Sequence, residues 1–505
     1  AHADAEECRR LLTMPYVGNT VNILRPGTPY QVPVATGLAG LNNSISDELI
    51  DDQELSDVSN YVIDLLEAGV LVKREGITKE VTTALTEAGT SVYDGVQNDY
   101  FTTSTKIFSF NGTERVSGLT TATEAYWTSY NGNDIYTDGV NAPQTSSNGT
   151  SFAALGGSPP TFKYVDAYAN LVFGAGHSAG ILRWSAFGNQ ASWPAVNALT
   201  LTNNADDDIV GLKKYQNVLV VFCEKSFYHI QSLGNEIEVS VSYANFEEGC
   251  TSGRSIIGCP YGLFWWSKNG PVWSPDGHSL KYIGKHKIPQ TIDNLNRGQY
   301  GLIHGIWNPI HERVEWWVFN GTSTTVNRKI YFYPERQAFF VGEGAGVEMG
   351  AAGVLVRSGV PRVYVTSAST SGYFYEQTGS SDDGTVISAY LETKRQAPAG
   401  PTGLVFGKRM TPLFILEGNP TITYSVYLDN ADTISKSYIL TPSASGFILD
   451  VSLLDVGILG ASTEANETEV TLARRYRKIK HRIADSAGLR TRIRGIANEG
   501  YILRT

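Results

Sequence analysis

Short apolar and aromatic runs alternate with tight polar turns along most of this chain. The pattern is densest between Val165 and Tyr282, where runs such as Asn170-Leu171-Val172-Phe173 and Leu219-Val220-Val221-Phe222 are one strand long. The turns between them carry Gly, Asn or Asp, as antiparallel hairpins require. The same grammar holds from about Thr102 to Gln377, in KIFSFNG, AYWTSYNGNDIYTDG, VEWWVFNG and KIYFYPERQAFFVG. No amphipathic helix interleaves, which excludes parallel α/β folds. Regular hairpins over so long a stretch predict stacked sheets, and radial repetition protects the edges of such sheets. The expected fold is mainly β and centred on a β-propeller, with the number of blades left open.

The flanks read differently. Residues 1–45 have little periodicity, and Pro15, Pro26, Pro29 and Pro33 break any long element, so an extended N-terminal arm is expected. Residues 46–68 read as a short helix. Ser46 or Asp47 can cap it, and acidic residues crowd its first half. Leu49, Leu55, Val58, Val62, Leu65 and Leu66 form a stripe at helical spacing, and Gly69 can end it. Val70-Leu71-Val72 then leads as a strand into a turn at Lys73-Arg74-Glu75-Gly76. Near the other end, PAGP at 398–401 sets a boundary, after which LVFGKRMTPLFILEG and TITYSVYLD predict further strands. Three units follow: an arm and helix over residues 1–85, the propeller over 86–396, and a C-terminal β-sandwich-like domain over 397–505.

Composition narrows the class. A chain of 505 residues is too long for one ordinary core. Tyr (27) and Trp (9) are plentiful and Met (3) is scarce, a balance that suits strands and turns over helical bundles. No apolar run approaches the roughly 18 residues of a membrane span. The stretch AHADAEECRRLLTMPY lacks the apolar core of a signal peptide, so none is expected. Cys8, Cys223, Cys250 and Cys259 are sparse and irregular, which gives neither a disulfide framework nor a zinc pattern and fits a reducing compartment. The sequons at Asn111, Asn148, Asn320 and Asn466 matter only in a eukaryotic secretory setting. The net charge of −10 argues against a general nucleic-acid binder.

Candidate chemistry is thin. Gly176-His177-Ser178-Ala179-Gly180 matches the G-x-S-x-G nucleophile elbow, but that motif needs a helix after it. Ile181-Leu182-Arg183-Trp184 is β-prone, and Gly188 and Pro194 follow closely, so a hairpin loop is the better reading. Asp206-Asp207-Asp208 lacks the alternating spacing of a calcium loop and reads as a turn. His304, His311 and Glu312 form no zincin motif. Ser274-Pro275-Asp276-Gly277 and the stretch from Ser380 to Gly384 resemble fragments of sialidase Asp-boxes, without the closing Thr-Trp. No enzyme, cofactor or metal is expected.

The C-terminus carries the clearest charge pattern. Arg474, Arg475, Arg477, Lys478, Lys480 and Arg482 alternate with Tyr476, Ile479 and Ile483, which predicts strands with one apolar and one basic face. Two readings stand: a solvated face balancing an acidic protein, or a docking face for an acidic neighbour. A nucleic-acid face is a minor third reading, since stacking aromatics are few here. These six residues are the candidate docking set.

Several loose motifs together resemble one family. Ser185, Gly188-Asn189 and Ser192-Trp193-Pro194 are similar to a segment of bacteriophage tail propellers, although the usual Asp-Pro before the Trp is here Asn189-Gln190. Leu219 to Tyr228, Gly249 to Ile256 and Gly262 to Gly270 resemble the strands that follow in those proteins. The segments Gly40-Leu41-Asn42, Asn60 to Gly69 and Lys73 to Gly76 resemble their start, and Arg475 to Ile483 their basic final strand. The resemblance implies a virion structural protein of the nozzle or packaged-DNA-stabilisation class of short-tailed phages. It further implies a homo-oligomeric, hexameric ring below the portal and adaptor, assembled in the bacterial host cytoplasm, with tail fibres as further candidate partners. Genomic DNA would pass through the lumen without sequence-specific contact, and an acidic protein suits such sliding. Two alternatives remain open, a propeller hydrolase acting on glycans and a distal receptor-binding module.

Overall fold

In a computed structural model the described residues are 29–34, 37–65, 69–201, 207–231, 240–245, 248–277, 279–370, 372–416, 420–441 and 466–504. Among them the fold is mainly β, and its largest part is a propeller. Seven four-stranded antiparallel sheets follow one another, beginning at residues 89, 126, 164, 209, 257, 304 and 349, and are numbered here as blades 1 to 7. In blades 1 to 6 the strands pair in chain order. Blade 7 supplies only three strands from its own stretch, and its outermost strand is Thr78–Lys79, paired through Tyr375↔Lys79 and Glu376↔Thr78. This loan from before blade 1 closes the ring. The innermost strand of blade 7, Met349–Arg357, lies along that of blade 1, Gly89–Asp94. Glycine permits the approach: a Cβ at Gly353 would stand 2.5 Å from the Val92 carbonyl oxygen, and one at Gly350 2.4 Å from that of Gly89.

Aromatic side chains fill the wedges between blades. Phe101 stacks on Phe374 at 4.4 Å between blades 1 and 7, and Tyr100 on Trp127 at 5.0 Å between blades 1 and 2. Phe222 meets Trp265 edge-on at 5.2 Å between blades 4 and 5, and Trp266 meets Trp316 at 5.8 Å between blades 5 and 6. These pairs explain why the chain is rich in Tyr and Trp: flat rings bury large areas in a wedge of tapering width.

Beside the propeller stand two further sheets built from both ends of the chain. A seven-stranded sheet is centred on Thr491–Arg504 and Leu404–Leu416. Pro29–Val34 and Leu71–Lys73 pair on one side of that centre, and Asn466–Glu467 and Val470–Tyr476 on the other. A five-stranded sheet runs in the order Leu55–Ser59, Ala389–Thr393, Ile479–Asp485, Ile422–Leu428, Lys436–Leu440. The two sheets touch through buried groups. The Tyr424 hydroxyl lies 2.7 Å from His481 Nδ1 and donates to Met410 Sδ at 3.4 Å, and the Asn498 amide sits 2.8 Å from His481 Nε2. Burial pushes the His481 imidazole down to about 3, so it is neutral there.

One expectation is overturned. Residues 46–65 form no helix; they contain turns and the strands Leu55–Ser59 and Tyr61–Ile63, while residues 66–68 lie outside the described set. Asn60, at φ 61°, separates the two strands. Leu55, Val58, Tyr61, Val62 and Ile63 are all buried, because neighbours cover both faces of this segment. A doubly covered pair of short strands loses period-two alternation, and the remaining apolar spacing imitates a helix. The acidic residues that suggested a helix start instead meet distant cations: Asp47 with Arg395, Glu48 with Lys478 and Asp52 with Lys394.

Candidate docking face and propeller mouth

The six C-terminal cations separate into two groups. Val470–Tyr476 is an outer strand of the seven-stranded sheet, with Val470, Leu472 and Tyr476 turned into the core. Ala473, at φ 50°, and a register shift between Gly407 and Arg409 put a bulge into this strand. The bulge breaks strict alternation, so neighbouring Arg474 and Arg475 are both exposed, as is Arg477 at the following corner. Their side chains make no ion pair among the described residues. Lys478, Lys480 and Arg482 turn inward to partners. Lys478 reaches Glu48 at 2.6 Å, Lys480 reaches Glu392 at 2.7 Å, and Arg482 reaches the same carboxylate at 2.6 Å. These three fasten the five-stranded sheet to its own neighbours.

Around the free arginines the sheet presents a row that charge patterning alone did not disclose. Arg475, Phe406 and Tyr501 are register partners across three strands. Tyr501 and Leu503 are 39% and 37% exposed. Arg409, on the same sheet, holds Glu469 at 2.8 Å. Arginine beside an exposed aromatic is a composition enriched at protein interfaces. The alternation Tyr501-Ile502-Leu503, with only Ile502 fully buried, was the available sequence signal.

The propeller mouth accounts for the pentapeptide motif. Residues 176–180 form the loop between Leu171–Ala175 and Ile181–Trp184, and no helix follows. Ser178 is exposed, and among the described residues no hydrogen bond joins it to His177 or to another base. Burial and nearby Arg183 hold the His177 imidazole below its usual range. The loop borders a depression of about 490 Å³ shared with Glu124, Lys163, Asp208 and Glu224. Glu124 is ion-paired to Lys163 at 3.0 Å and accepts from the Tyr126 hydroxyl at 2.9 Å. A further cavity of about 200 Å³ is lined from blades 1 to 4, 6 and 7 and by Gly253, Arg254 and Ile256, just before blade 5. Arg254 crosses its end, donating to the carbonyls of Thr90 (3.3 Å), Gly350 (3.1 Å) and Leu302 (3.2 Å). Such a space holds a few waters.

The Lys73-Arg74-Glu75-Gly76 segment, expected as a turn, is buried where the propeller meets the two sheets. Arg74 binds Asp382 through two bonds, at 2.6 and 2.8 Å. Glu75 takes Arg313 at 2.6 Å and His311 at 3.1 Å. Arg313 bonds Glu315 at 2.7 Å, and Lys329 closes on the same carboxylate. Burial alone would raise the Glu315 carboxyl, but Lys329 and Arg313 overcome it and hold the group at about 2. Burial pulls the Lys329 ammonium down to about 8 against the attraction of Glu315. Asn60 ties the cluster to the backbone, accepting from Arg74 Nε and from Glu343 N, both at 2.8 Å.

Other motifs prove local. Asp207 accepts from Lys225 N and the Ser226 hydroxyl, and Asp206 lies outside the described residues. Asp276 accepts from Ser279 N at 2.7 Å within its turn. Ser185 accepts from Val172 N at 3.0 Å, and the Trp193 indole donates to Gln190 O at 2.8 Å. Cys223 and Cys250 are buried free thiols, and Cys8 is outside the described residues. Among the described residues no three His, Cys, Asp or Glu side chains converge on a metal position, and no helix is long and apolar enough to cross a membrane.

No family model and no curated protein matches this sequence. The chain is similar in fold to solved propellers. BamB from Moraxella catarrhalis aligns over 64% of this chain and 96% of its own, with 10% identity and a TM-score of 0.34. The β-propeller domain of Cps50 (Swd1) from Myceliophteria thermophila covers 60% and 99% at 11% identity and 0.41, and YCF48 bound to D1 peptide covers 64% and 99% at 9% identity and 0.40. The chain is a β-propeller. The seven sheets and their closure establish the number of blades independently of these likenesses.

Proposed function

We propose that this protein is a non-enzymatic structural component of a short-tailed bacteriophage tail, in the nozzle or packaged-DNA-stabilisation class. The propeller serves as a rigid spacer. The two-sheet unit carries the contacts to neighbours, and copies in a hexameric ring enclose the DNA channel below the adaptor or portal, where the protein helps to retain and deliver packaged DNA. The resemblance of the sequence motifs motivates this reading. The observation that supports it best in the folded chain is the outer strand with exposed Arg474 and Arg475, followed by exposed Arg477 at its corner, with Arg475 in register with Phe406 and Tyr501. A face of that composition on a chain of net charge −10 suits an acidic protein surface.

Native mass spectrometry of the purified protein, alone and mixed with the candidate adaptor ring, tests the proposal. The expected result is a monomer that assembles to about six copies on the adaptor. A protein that stays monomeric in the presence of the adaptor contradicts it.

A further inference from the structure

A second feature owes nothing to assembly. Where blade 6, the segment around residues 41–59 and the five-stranded sheet meet, the structure leaves an open pit of about 680 Å³. That volume is within the range of small-ligand sites. Only Leu41, Ile45, Val58 and Val341 contribute aliphatic side chains to its wall, and the remainder is amides, hydroxyls, carboxylates and two cations.

The polar groups are held before any ligand arrives. Asp57 accepts from the Tyr390 hydroxyl at 3.1 Å and from Val58 N at 2.8 Å. Glu392, its register partner on the next strand, is fixed by Lys480, Arg482 and the Tyr427 hydroxyl. Asn43 donates to Thr291 Oγ1 at 2.8 Å, and its Oδ1 is shut off from solvent with no partner among the described residues. Arg482 covers a face of the Tyr390 ring at 4.2 Å. The one neighbouring carboxyl whose proton affinity rises is Asp57, which burial pushes up, the Tyr390 hydroxyl opposing.

The chemistry of the wall eliminates most ligand classes. An apolar ligand finds almost no apolar surface. An anion finds both cations already engaged, Lys480 on Glu392 and Arg328 on Glu343. A metal ion finds no converging set of ligands among the described residues. What the wall offers is a dense array of preorganised donors and acceptors, with both cations paired and the Asp57 carboxylate held by hydrogen bonds among the described residues, which suits a neutral ligand rich in hydroxyls. We propose that this pit binds an uncharged sugar, with the Asp57 carboxyl and the side chain of Gln290, on the short helix Pro289–Asp293 in its wall, bonding to its hydroxyls.

Saturation-transfer NMR on the full chain tests this, with glucose, galactose, mannose, N-acetylglucosamine and maltose as probes and inorganic phosphate as a charged control. Titration then gives the affinity of any sugar that binds. At least one sugar is expected to receive saturation. Asp57→Asn should weaken it about ten-fold or more, since hydrogen bonds to a charged group are the stronger ones. Gln290→Ala, at an exposed position that folding does not need, should weaken it about three-fold. The melting temperature of the Gln290 variant should match wild type, which separates lost binding from lost folding. Absence of transfer to all five sugars at tens of millimolar (a concentration at which even millimolar affinities register) overturns the ligand class. Binding that survives both substitutions overturns the site, and phosphate binding tighter than any sugar overturns the reasoning from paired charges.

Discussion

Two groups of charged residues in this chain look alike in sequence and do opposite things. Lys73-Arg74-Glu75 and the run from Arg474 to Arg482 are both short, basic-rich stretches beside β-prone residues. The first is buried. Arg74 and Arg313 are 2% and 0% exposed and bonded to carboxylates on other elements, and the network fixes how the propeller sits against the two sheets. The second is divided. Lys478, Lys480 and Arg482 are engaged within the chain, while Arg474 and Arg475 on an outer strand and Arg477 at its corner are exposed and make no ion pair among the described residues. A buried ion pair must be satisfied almost completely, because removing one partner strands the other in a poor solvent. A free surface arginine costs the fold nothing and remains available to a neighbour. Position in the sheet, and not the count of charges, decides between architecture and docking.

The sharpest way to break this contrast is to cut the buried network. Glu315→Ala leaves Arg313 and Lys329 without their shared carboxylate and should destabilise the protein by about 3–5 kcal/mol in a denaturant titration. A cost below about 1 kcal/mol would mean that the network is dispensable. Acid probes the same cluster without mutation. The Glu315 carboxyl is held at about 2, below its value of about 4.3 in an unfolded chain. Its contribution is therefore complete above about 4.3 and is lost as the pH falls toward 2, and Glu75, held below its usual range by Arg313 and His311 against the effect of burial, adds in the same direction. Lys329 gives a slope of the same sign at higher pH. It titrates at about 8 in the folded protein and about 10.4 unfolded, so the unfolded chain binds more protons in that window and stability rises with pH there. Unfolding free energies measured from pH 2 to 10 should show both slopes, and a flat profile below pH 4.3 would count against the burial of these charges.

Effects should shrink outside the cluster. Arg482→Ala leaves Lys480 to hold Glu392, so about 1 kcal/mol or less should be lost. A much larger loss would place this pair with the buried group. Replacing Arg474, Arg475 and Arg477 together by Ala should leave the melting temperature unchanged within error, since no side chain in the described structure depends on them.

The propeller was legible because each hairpin is local. Runs such as Leu219–Phe222 and turns such as Asn131-Gly132 state their pairing within a few residues. The number of blades was not, because blade 7 borrows Thr78–Lys79 from roughly 300 residues earlier and nothing in that dipeptide announces its partner. The helical reading of residues 46–68 failed at Asn60, whose left-handed backbone joins two covered strands. The basic face was half legible. Alternation placed Arg474 to Arg482 on strands, but only tertiary structure shows that Glu48 and Glu392 claim three of the six cations. The bulge at Ala473, which exposes Arg474 together with Arg475, left no periodic trace at all.

One experiment bears on the division between architecture and docking more than any other: native mass spectrometry of the Arg474→Ala, Arg475→Ala, Arg477→Ala triple variant beside wild type, each mixed with the adaptor ring, with melting temperatures recorded in parallel. The predicted result is a variant that melts like wild type and no longer joins the ring. A variant that assembles as wild type does, or one that has lost its fold, would contradict the assignment of these three arginines to a partner.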